Sequence, residues 1–545
     1  MTKRQKQSFI AGSLTSSAGI FISKALGLLY IVPFTALAGG ESNMIFYSAA
    51  YTYYDLLLQI CTAGLPFAIA AMVAKYSSRE DYKTVVLVRK LSTSILLLSG
   101  FIIAIIFVLI ATPLSKSVLG AEAVPKDIAI LKNCFIILAV AVILVPYLSA
   151  FRGYYQGLKE LNAYAFSQVI EQLTRVISLL ALGYLCVNIF KLDNIYAVYM
   201  AVVSTSIAAL AAIIYYKYFD RRNYGVMARA ARNQSEPGRS TKEIVLELFS
   251  YGFPYVIVAI LGNSMNIINN NYFMNAMTNI ADYNTSKTLL GIIQFNCNNL
   301  TSIPQVLAIG FSAGIVPYLT ISLEKKDWAT LQKNVLSCLD TVLYISVPLC
   351  FCLFALATPI YFVMYGNRNL EMGAQALMYS SLLGLTGTLS PIASSMMMTL
   401  KFRKNIIVYL IVGFIVKFIT FFLMIKYFGY SGAITSSALT SIVVIFLNLQ
   451  HISNKFKVNY AKTFVRFLKM LVSCIAMNGG FAILKLVGLT IDGKGQLMAL
   501  LVLCVYGIVG MAIYYYTSSL MKLPQNIFGF TLTDIVKRKL VKSNG

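Results

Sequence analysis

Residues 163–188 read AYAFSQVIEQLTRVISLLALGYLCVN, an apolar run that nevertheless carries Glu171 and, one helical turn later, Arg175. A bilayer-spanning helix needs roughly 20 mostly apolar residues, so the stretch is long enough to cross. A charge at mid-membrane costs at least ~2.5–3.5 kcal/mol unless it faces a partner or a water-filled cavity. Lys24, Lys417 and Lys485 lie inside similar apolar runs elsewhere in the chain. The pattern predicts a polytopic membrane protein with a hydrated, mostly cationic interior suited to an anionic cargo.

The bulk composition agrees. Of 545 residues, 58% are apolar and 12% are charged, against roughly 25% charged in soluble proteins; mean hydropathy is +0.74. The net charge of +25 does not indicate nucleic acid, because its Lys and Arg residues cluster in short segments between apolar runs, on one set of loops, as the positive-inside rule requires. That asymmetry predicts two cytoplasmic termini and an even number of spans. The opening MTKRQKQ resembles the charged front of a signal peptide, but the apolar run from 10 to 38 is too long for one and is read as an uncleaved first helix. The nine Cys all fall in apolar stretches, where free Cys packs as a small hydrophobe, so neither a disulfide framework nor a metal site is expected. His451 and Trp328 are single, which leaves little room for histidine chemistry.

The reading predicts an all-α membrane protein with about fourteen transmembrane helices, arranged as two six-helix lobes plus two extra C-terminal helices. The expected spans are 10–38, 44–74, 86–113, 127–150, 163–188, 193–218, 246–276, 287–320, 335–363, 373–399, 405–427, 431–452, 465–487 and 496–520. The domain plan is an N-lobe at 1–219, a cytoplasmic linker at 220–243, a C-lobe at 244–453, the last two helices within 454–521, and a tail at 522–545. The linker contains RRNYGVMARAARNQSEPGRST, with Arg residues placed to meet anionic headgroups. A weak internal repeat at constant offset places Leu158-Lys159 on Leu400-Lys401, Arg175 on Lys417, Ile177 on Ile419 and Ser178 on Thr420; internal repeats of this kind are common in transporters, with the site at the repeat interface.

Several side chains are candidates for ligand contact. Lys24 is expected either to bind phosphate or carboxylate, or to pair with Asp55 in the second segment. Asn263, Asn266 and Asn270 follow i, i+3, i+7 spacing on one face of the seventh segment, broadened by Asn269, Asn271 and Asn275. The eighth adds Gln294, Asn296, Asn299 and Gln305. Amides offer both donors and an acceptor, which suits sugar hydroxyls; the competing role is interhelical hydrogen bonding. Glu171 and Arg175 form an i, i+4 pair expected to stabilise the fifth helix and orient an adjoining loop that carries Arg152 and Gln156, with Arg152 as a gate. Pro66 after Gly64, and Gly310 with Gly314, mark flex points or static kinks. No zinc-protease motif, P-loop or dinucleotide fingerprint is present; the chain is not expected to be an enzyme or to hold a cofactor or metal.

The block Arg152-Gly153-Tyr154-Tyr155-Gln156-Gly157-Leu158, then Ser167-Gln168-Val169-Ile170-Glu171-Gln172 and Arg175-Val176, resembles a signature of the MOP exporter superfamily. Within it, the chain is similar to the polysaccharide-exporter branch of lipid-linked oligosaccharide flippases that includes MurJ- and SpoVB-like lipid II flippases. Supporting pieces are Ser23-Lys24 with Leu26-Gly27, Ala63-Gly64-Leu65-Pro66-Phe67-Ala68-Ile69, and Ile303-Pro304. Two positions depart: Ala163 stands where family members often have Pro, and Tyr30 where lipid II flippases carry a second Arg, Lys24 matching the first.

The resemblance implies two lobes opening alternately to each side, helices one, two, seven and eight lining the cavity, and the last two helices grooved for an isoprenoid tail. It implies a lipid-linked glycan substrate, an undecaprenyl-diphosphate-linked cell-wall precursor with lipid II foremost, moved from inner to outer leaflet of a bacterial plasma membrane. Membrane lipids and cell-wall synthesis machinery are the implied partners, and the membrane potential or an ion gradient the energy source, with Asp55 as a candidate ion carrier. The alternatives are a flippase for another lipid-linked polysaccharide unit, a cation-coupled multidrug antiporter of the same superfamily, a membrane glycosyltransferase, and a non-transporting scaffold.

Overall fold

The computed structural model describes residues 30–528 apart from 63–64, 159, 236–237 and 492. Lys24 and most of the first expected helix lie outside the described residues. Among the described residues every regular element is helical: α1 Ile31–Leu37, α2 Glu41–Thr62, α3 Leu65–Ser77, α4 Tyr82–Leu119, α5 Pro125–Gly157, α6 Leu161–Tyr184, α7 Ile195–Asn233, α8 Thr241–Met277, α9 Tyr283–Gly291, α10 Asn298–Glu324, α11 Trp328–Ala355, α12 Ala357–Tyr365, α13 Leu370–Thr399, α14 Arg403–Phe428, α15 Tyr430–Phe456, α16 Ala461–Leu486, α17 Gln496–Leu520 and α18 Leu523–Phe528. Two wide π-helical turns, Leu185–Ile189 and Ile292–Cys297, extend α6 and join α9 to α10. Nine helices among the described residues are long and apolar enough to cross a membrane, against the fourteen spans expected. The other expected segments from residue 44 onward are helical wherever they are described.

The chain forms two compact units, one through Phe295 and one from Asn296. In the first, α4 packs along α5 and α6 along α7, and α8 lies against α2, α3 and α4. Its core joins Ile69, Val85, Leu148, Tyr155, Tyr216 and Ile244, all buried. The spacing of Gly153 and Gly157 has a direct cause. A Cβ at either would lie 2.6–2.7 Å from the carbonyl oxygens of Pro66 and Ala70, so only glycine at i, i+4 lets α5 approach α3 this closely.

Three expectations change. The polar segment read as a linker is mostly helix, because α7 continues to Asn233. Its first acid, Asp220, accepts hydrogen bonds from Arg89 and Tyr155, which seals the start of the segment against α4 and α5, and the Ala- and Arg-rich stretch that follows favours helix. The remaining connection is held to the start of α4: Lys83 N donates to Gln234 Oε1 at 2.9 Å, Gln234 Nε2 to Asp81 Oδ1 at 3.0 Å, and Arg239 N to Thr84 Oγ1 at 2.8 Å. Arg152 and Gln156 lie in the last two turns of α5 rather than in a loop. Lys485 is exposed in the last turn of α16, where a lysine stem reaches the interface, so it is no buried charge.

In the second unit, α10 and α15 pack on α13, α14 packs on α15, and α16 pairs with α17. The α16–α17 pair is fastened to α11 through an Arg466–Asp340 ion pair, through Tyr344 and Ser518, whose hydroxyls are 2.8 Å apart, and through a core containing Met470, Cys474, Met477 and Tyr514.

Candidate functional site

A polar cluster among the described residues of the first unit is built on α5, α6 and α7. Arg152 Nη2 donates to Glu171 Oε2 at 2.6 Å, and Arg175 Nη2 to Glu171 Oε1 at 3.5 Å. Arg152 Nε also donates to Ser167 Oγ at 3.2 Å, and Tyr216 OH to the same oxygen at 3.0 Å. Side-chain exposures are 15%, 15% and 19% for Arg152, Glu171 and Arg175, so two guanidinium groups share one carboxylate in a nearly enclosed place. The cluster carries one net positive charge. The spacing that makes it is helical, with Ser167, Glu171 and Arg175 at i, i+4, i+8 along α6. The Glu171–Arg175 pair was legible in the sequence; the role of Arg152 as their direct partner was not, because it depends on how α5 meets α6.

The repeat counterpart, Lys417 on α14, is fully buried. Its ammonium donates to Ser436 Oγ and Ser437 Oγ, both at 2.7 Å, and to the Ala433 carbonyl at 3.2 Å, and lies 4.8 Å from the centre of the Phe421 ring. All three oxygens belong to α15, so this charge joins two helices of the second unit.

The amide residues separate into different environments. Asn266 is exposed and Asn263 half-buried. Asn270 is fully buried, with Nδ2 donating to the Asn266 carbonyl of its own helix at 3.2 Å. Asn271 accepts from Tyr53, and Asn275 Oδ1 from the Ala121 amide at 3.0 Å. In the second π-helical turn, Gln294 is half-buried, while Asn296 is fully buried, with Nδ2 on the Tyr361 hydroxyl at 2.7 Å and its carbonyl accepting from Tyr365 at 3.3 Å. Asn299 is half-buried. Asn270, Asn271, Asn275 and Asn296 are therefore engaged in hydrogen bonds within the protein, whereas Asn266, Asn263, Gln294 and Asn299 keep accessible surface. Asp55 is exposed on α2.

Three other networks escaped the sequence reading. Lys287, the first residue of the expected span 287–320, is buried in α9 and donates to Asp127 Oδ2 at 2.6 Å, alongside Tyr283 OH at 2.9 Å; the i, i+4 spacing of Tyr283 and Lys287 was the available signal. Glu247 on α8 accepts from Lys75 Nζ and Tyr76 OH, both at 2.6 Å. On α2, Tyr47, Tyr51 and Tyr54 follow i, i+4, i+7 spacing, and all three are electrostatic neighbours of Arg175. A polar cleft of about 1090 Å³ lies among Tyr76, Arg79, Asp81, Gln234, Arg239 and Glu243. Burial there opposes ionisation of Asp81, but hydrogen bonds from Thr84 and Gln234 and the charge of Arg239 outweigh it and hold the carboxyl below its ordinary range.

A family model described as polysaccharide biosynthesis protein matches residues 9–323. The lipid II flippase MurJ of Bacillus subtilis (strain 168) is 28% identical over 536 residues, covering 97% of this chain and 98% of that protein. Among solved structures, lipid II flippase MurJ in an inward closed conformation aligns with a TM-score of 0.66 at 14% identity, covering 94% of this chain and all of that one. An inward-facing multidrug resistance MATE transporter of the MOP superfamily aligns with a TM-score of 0.64 at 13% identity, covering 80% and 94%. The all-helical transporter fold expected from the sequence is the fold observed.

Proposed function

Because the chain belongs to the polysaccharide biosynthesis protein family, we propose that it is a flippase. It moves an undecaprenyl-diphosphate-linked cell-wall precursor, lipid II, from the inner to the outer leaflet of a bacterial plasma membrane by alternating access. The observation that carries this reading is the balance of charge inside the helices. Glu171 is shared by two arginines, Glu247 is paired with Lys75 and Asp340 with Arg466. An antiporter of cations needs carboxylates that bind and release positive charge, and these three are held by the protein's own cations. The excess is positive, which favours a lipid with an anionic head. Near-full-length similarity to a lipid II flippase supports the same cargo.

In this reading the diphosphate meets Lys24 and Arg175, and the accessible amides Asn263, Asn266, Gln294 and Asn299 face the glycan or peptide. The proposal keeps the two-lobe plan of 1–219 and 244–453 and two cytoplasmic termini, as the distribution of Lys and Arg requires. The membrane potential powers the cycle, at ~2.3 kcal/mol per charge per 100 mV; an anion leaving a negative interior moves downhill.

Depleting the protein in cells and identifying lipid-linked glycans by mass spectrometry tests the cargo. The undecaprenyl-diphosphate precursor is expected to accumulate on the cytoplasmic face. Unchanged precursor pools with normal translocation would remove the proposal.

A further inference from the structure

We propose that Arg175 and Tyr54 form a seat for a phosphate-type oxyanion inside the first unit, with Arg175 presenting its guanidinium and Tyr54 its hydroxyl to the same ligand. The inference rests on the flippase reading for its physiological ligand; the two buried polar atoms from which it starts do not.

Buried polar groups are nearly always satisfied, so each exception demands an explanation, an ion among them. Arg175 Nε and the Tyr54 hydroxyl are both buried, and neither has a partner among the described residues. Tyr54 is an electrostatic neighbour of Arg175, so the two unsatisfied groups belong to one neighbourhood. The tyrosines around them are in a different condition. Tyr47 and Tyr30 bring their hydroxyls to 3.3 Å of each other, and Tyr51 is bonded to Thr205. Tyr54 alone of this α2 face keeps an unengaged hydroxyl among the described residues.

Charge selects the ligand. Glu171 binds Arg152 tightly, at 2.6 Å, and reaches Arg175 only at 3.5 Å. Arg175 is therefore the loosely held cation of a cluster with one positive charge in excess, and 19% of its side chain stays open. Two carboxylates, Glu171 and Asp55, also neighbour Tyr54. The first is already neutralised by its arginines and the second is exposed, so they do not cancel the excess. A planar guanidinium offers parallel N–H donors matched to two oxygens of a phosphate, and the tyrosine adds a third donor. The shared chemistry is a phosphate or diphosphate group, whether on a lipid head or free in solution.

The test uses the full chain in lipid nanodiscs and two probes, undecaprenyl diphosphate in the bilayer and inorganic diphosphate in solution, with Tyr54→Phe, Arg175→Gln and Arg175→Lys. Tyr54→Phe removes only an oxygen that has no partner among the described residues. Thermal stability without ligand is therefore expected to stay level or rise, while affinity falls about 5-fold, roughly 1 kcal/mol, a split that a structural role does not produce. Arg175→Gln is expected to weaken binding about 20-fold or more, and Arg175→Lys, which keeps charge but loses the fork, to fall between. Equal losses for both probes identify phosphate oxygens as the recognised group. Losses for the lipid probe, with no binding of the free one to the wild type, identify the lipid head as its source. Wild-type affinity for both probes in folded Tyr54→Phe and Arg175→Gln overturns the proposal and leaves a bridging water as the explanation of the two atoms. If Arg175→Gln does not fold, Tyr54→Phe decides alone. Should the variants lose diphosphate while the wild type translocates no lipid-linked glycan, the seat stands and the flippase reading falls. Wild-type binding and translocation in the variants does the reverse.

Discussion

Arg175 and Lys417 fall at matching places of the internal repeat expected from the sequence, and the protein treats them in opposite ways. Arg175 shares its carboxylate with a second arginine, keeps one nitrogen without a partner among the described residues and leaves part of its side chain open. Lys417 has no exposed surface, and three oxygens of a single neighbouring helix surround its ammonium. A charge in a spanning helix is expensive in both places, but only one of them retains capacity for a ligand. The difference teaches that an intramembrane cation is read by the acceptors around it: oxygens converging from one helix make a structural clamp, and a shared carboxylate with a spare donor makes a binding group.

The comparison can be broken most forcefully at Glu171. Glu171→Ala leaves Arg152 and Arg175 as uncompensated neighbours, and loss of one partner in a buried pair costs about 3–5 kcal/mol; thermal unfolding of the purified protein is expected to show the largest drop of any change considered. Exchanging the roles of the two cations comes next. Arg175→Gln is expected to reduce translocation in vesicles by about 10-fold or more, equivalent to roughly 1.4 kcal/mol. Lys417→Met is expected to preserve translocation within about 2-fold, because the change removes a buried charge and the Ser436 and Ser437 hydroxyls keep their own hydrogen bonds to the Ala433 carbonyl. Equal losses from both would erase the distinction. A smaller effect is expected from Tyr216→Phe, which removes the hydroxyl that donates to Ser167 beside Arg152 and should lower stability by about 1 kcal/mol without changing ligand affinity. The smallest concerns pH. The Asp81 carboxyl is held below its ordinary value of ~3.9, so its contribution is complete above that value and is lost as pH falls through the lowered one. Hydrogen exchange at residues 82–85 and 234–240 is expected to be flat from pH 7 to about pH 5 after correction for the intrinsic rate, and to accelerate only in stronger acid.

Much of the fold was legible because it rests on local pattern. Apolar length predicted the helices from 44 onward, and i, i+4 spacing predicted the Glu171–Arg175 pair. What the sequence concealed depends on contacts distant in the chain. Asp220 looked like the start of a linker, yet Arg89 and Tyr155 bury it and α7 continues through it. Lys287 stands at the edge of an expected span, and its partner Asp127 lies 160 residues away. Asn270 and Asn296 matched the polar faces expected to be wet, but full burial shows that the same residue type also serves as internal hydrogen bonding. Tyr54 drew no notice because a tyrosine on an apolar helix is ordinary; its significance comes from the oxygen partners that Tyr47 and Tyr51 have and it lacks.

The account's central claim is that a buried, net positive cluster carries an anionic lipid head across the membrane. Its most direct test reconstitutes the purified full chain in vesicles with an undecaprenyl-diphosphate-linked glycan and follows the headgroup between leaflets, at inner-negative potential and with the potential clamped at zero. Translocation that depends on the protein, slows at zero potential, fails in Arg175→Gln and persists in Lys417→Met is the predicted result. No protein-dependent translocation, or equal rates in all three proteins, would contradict it.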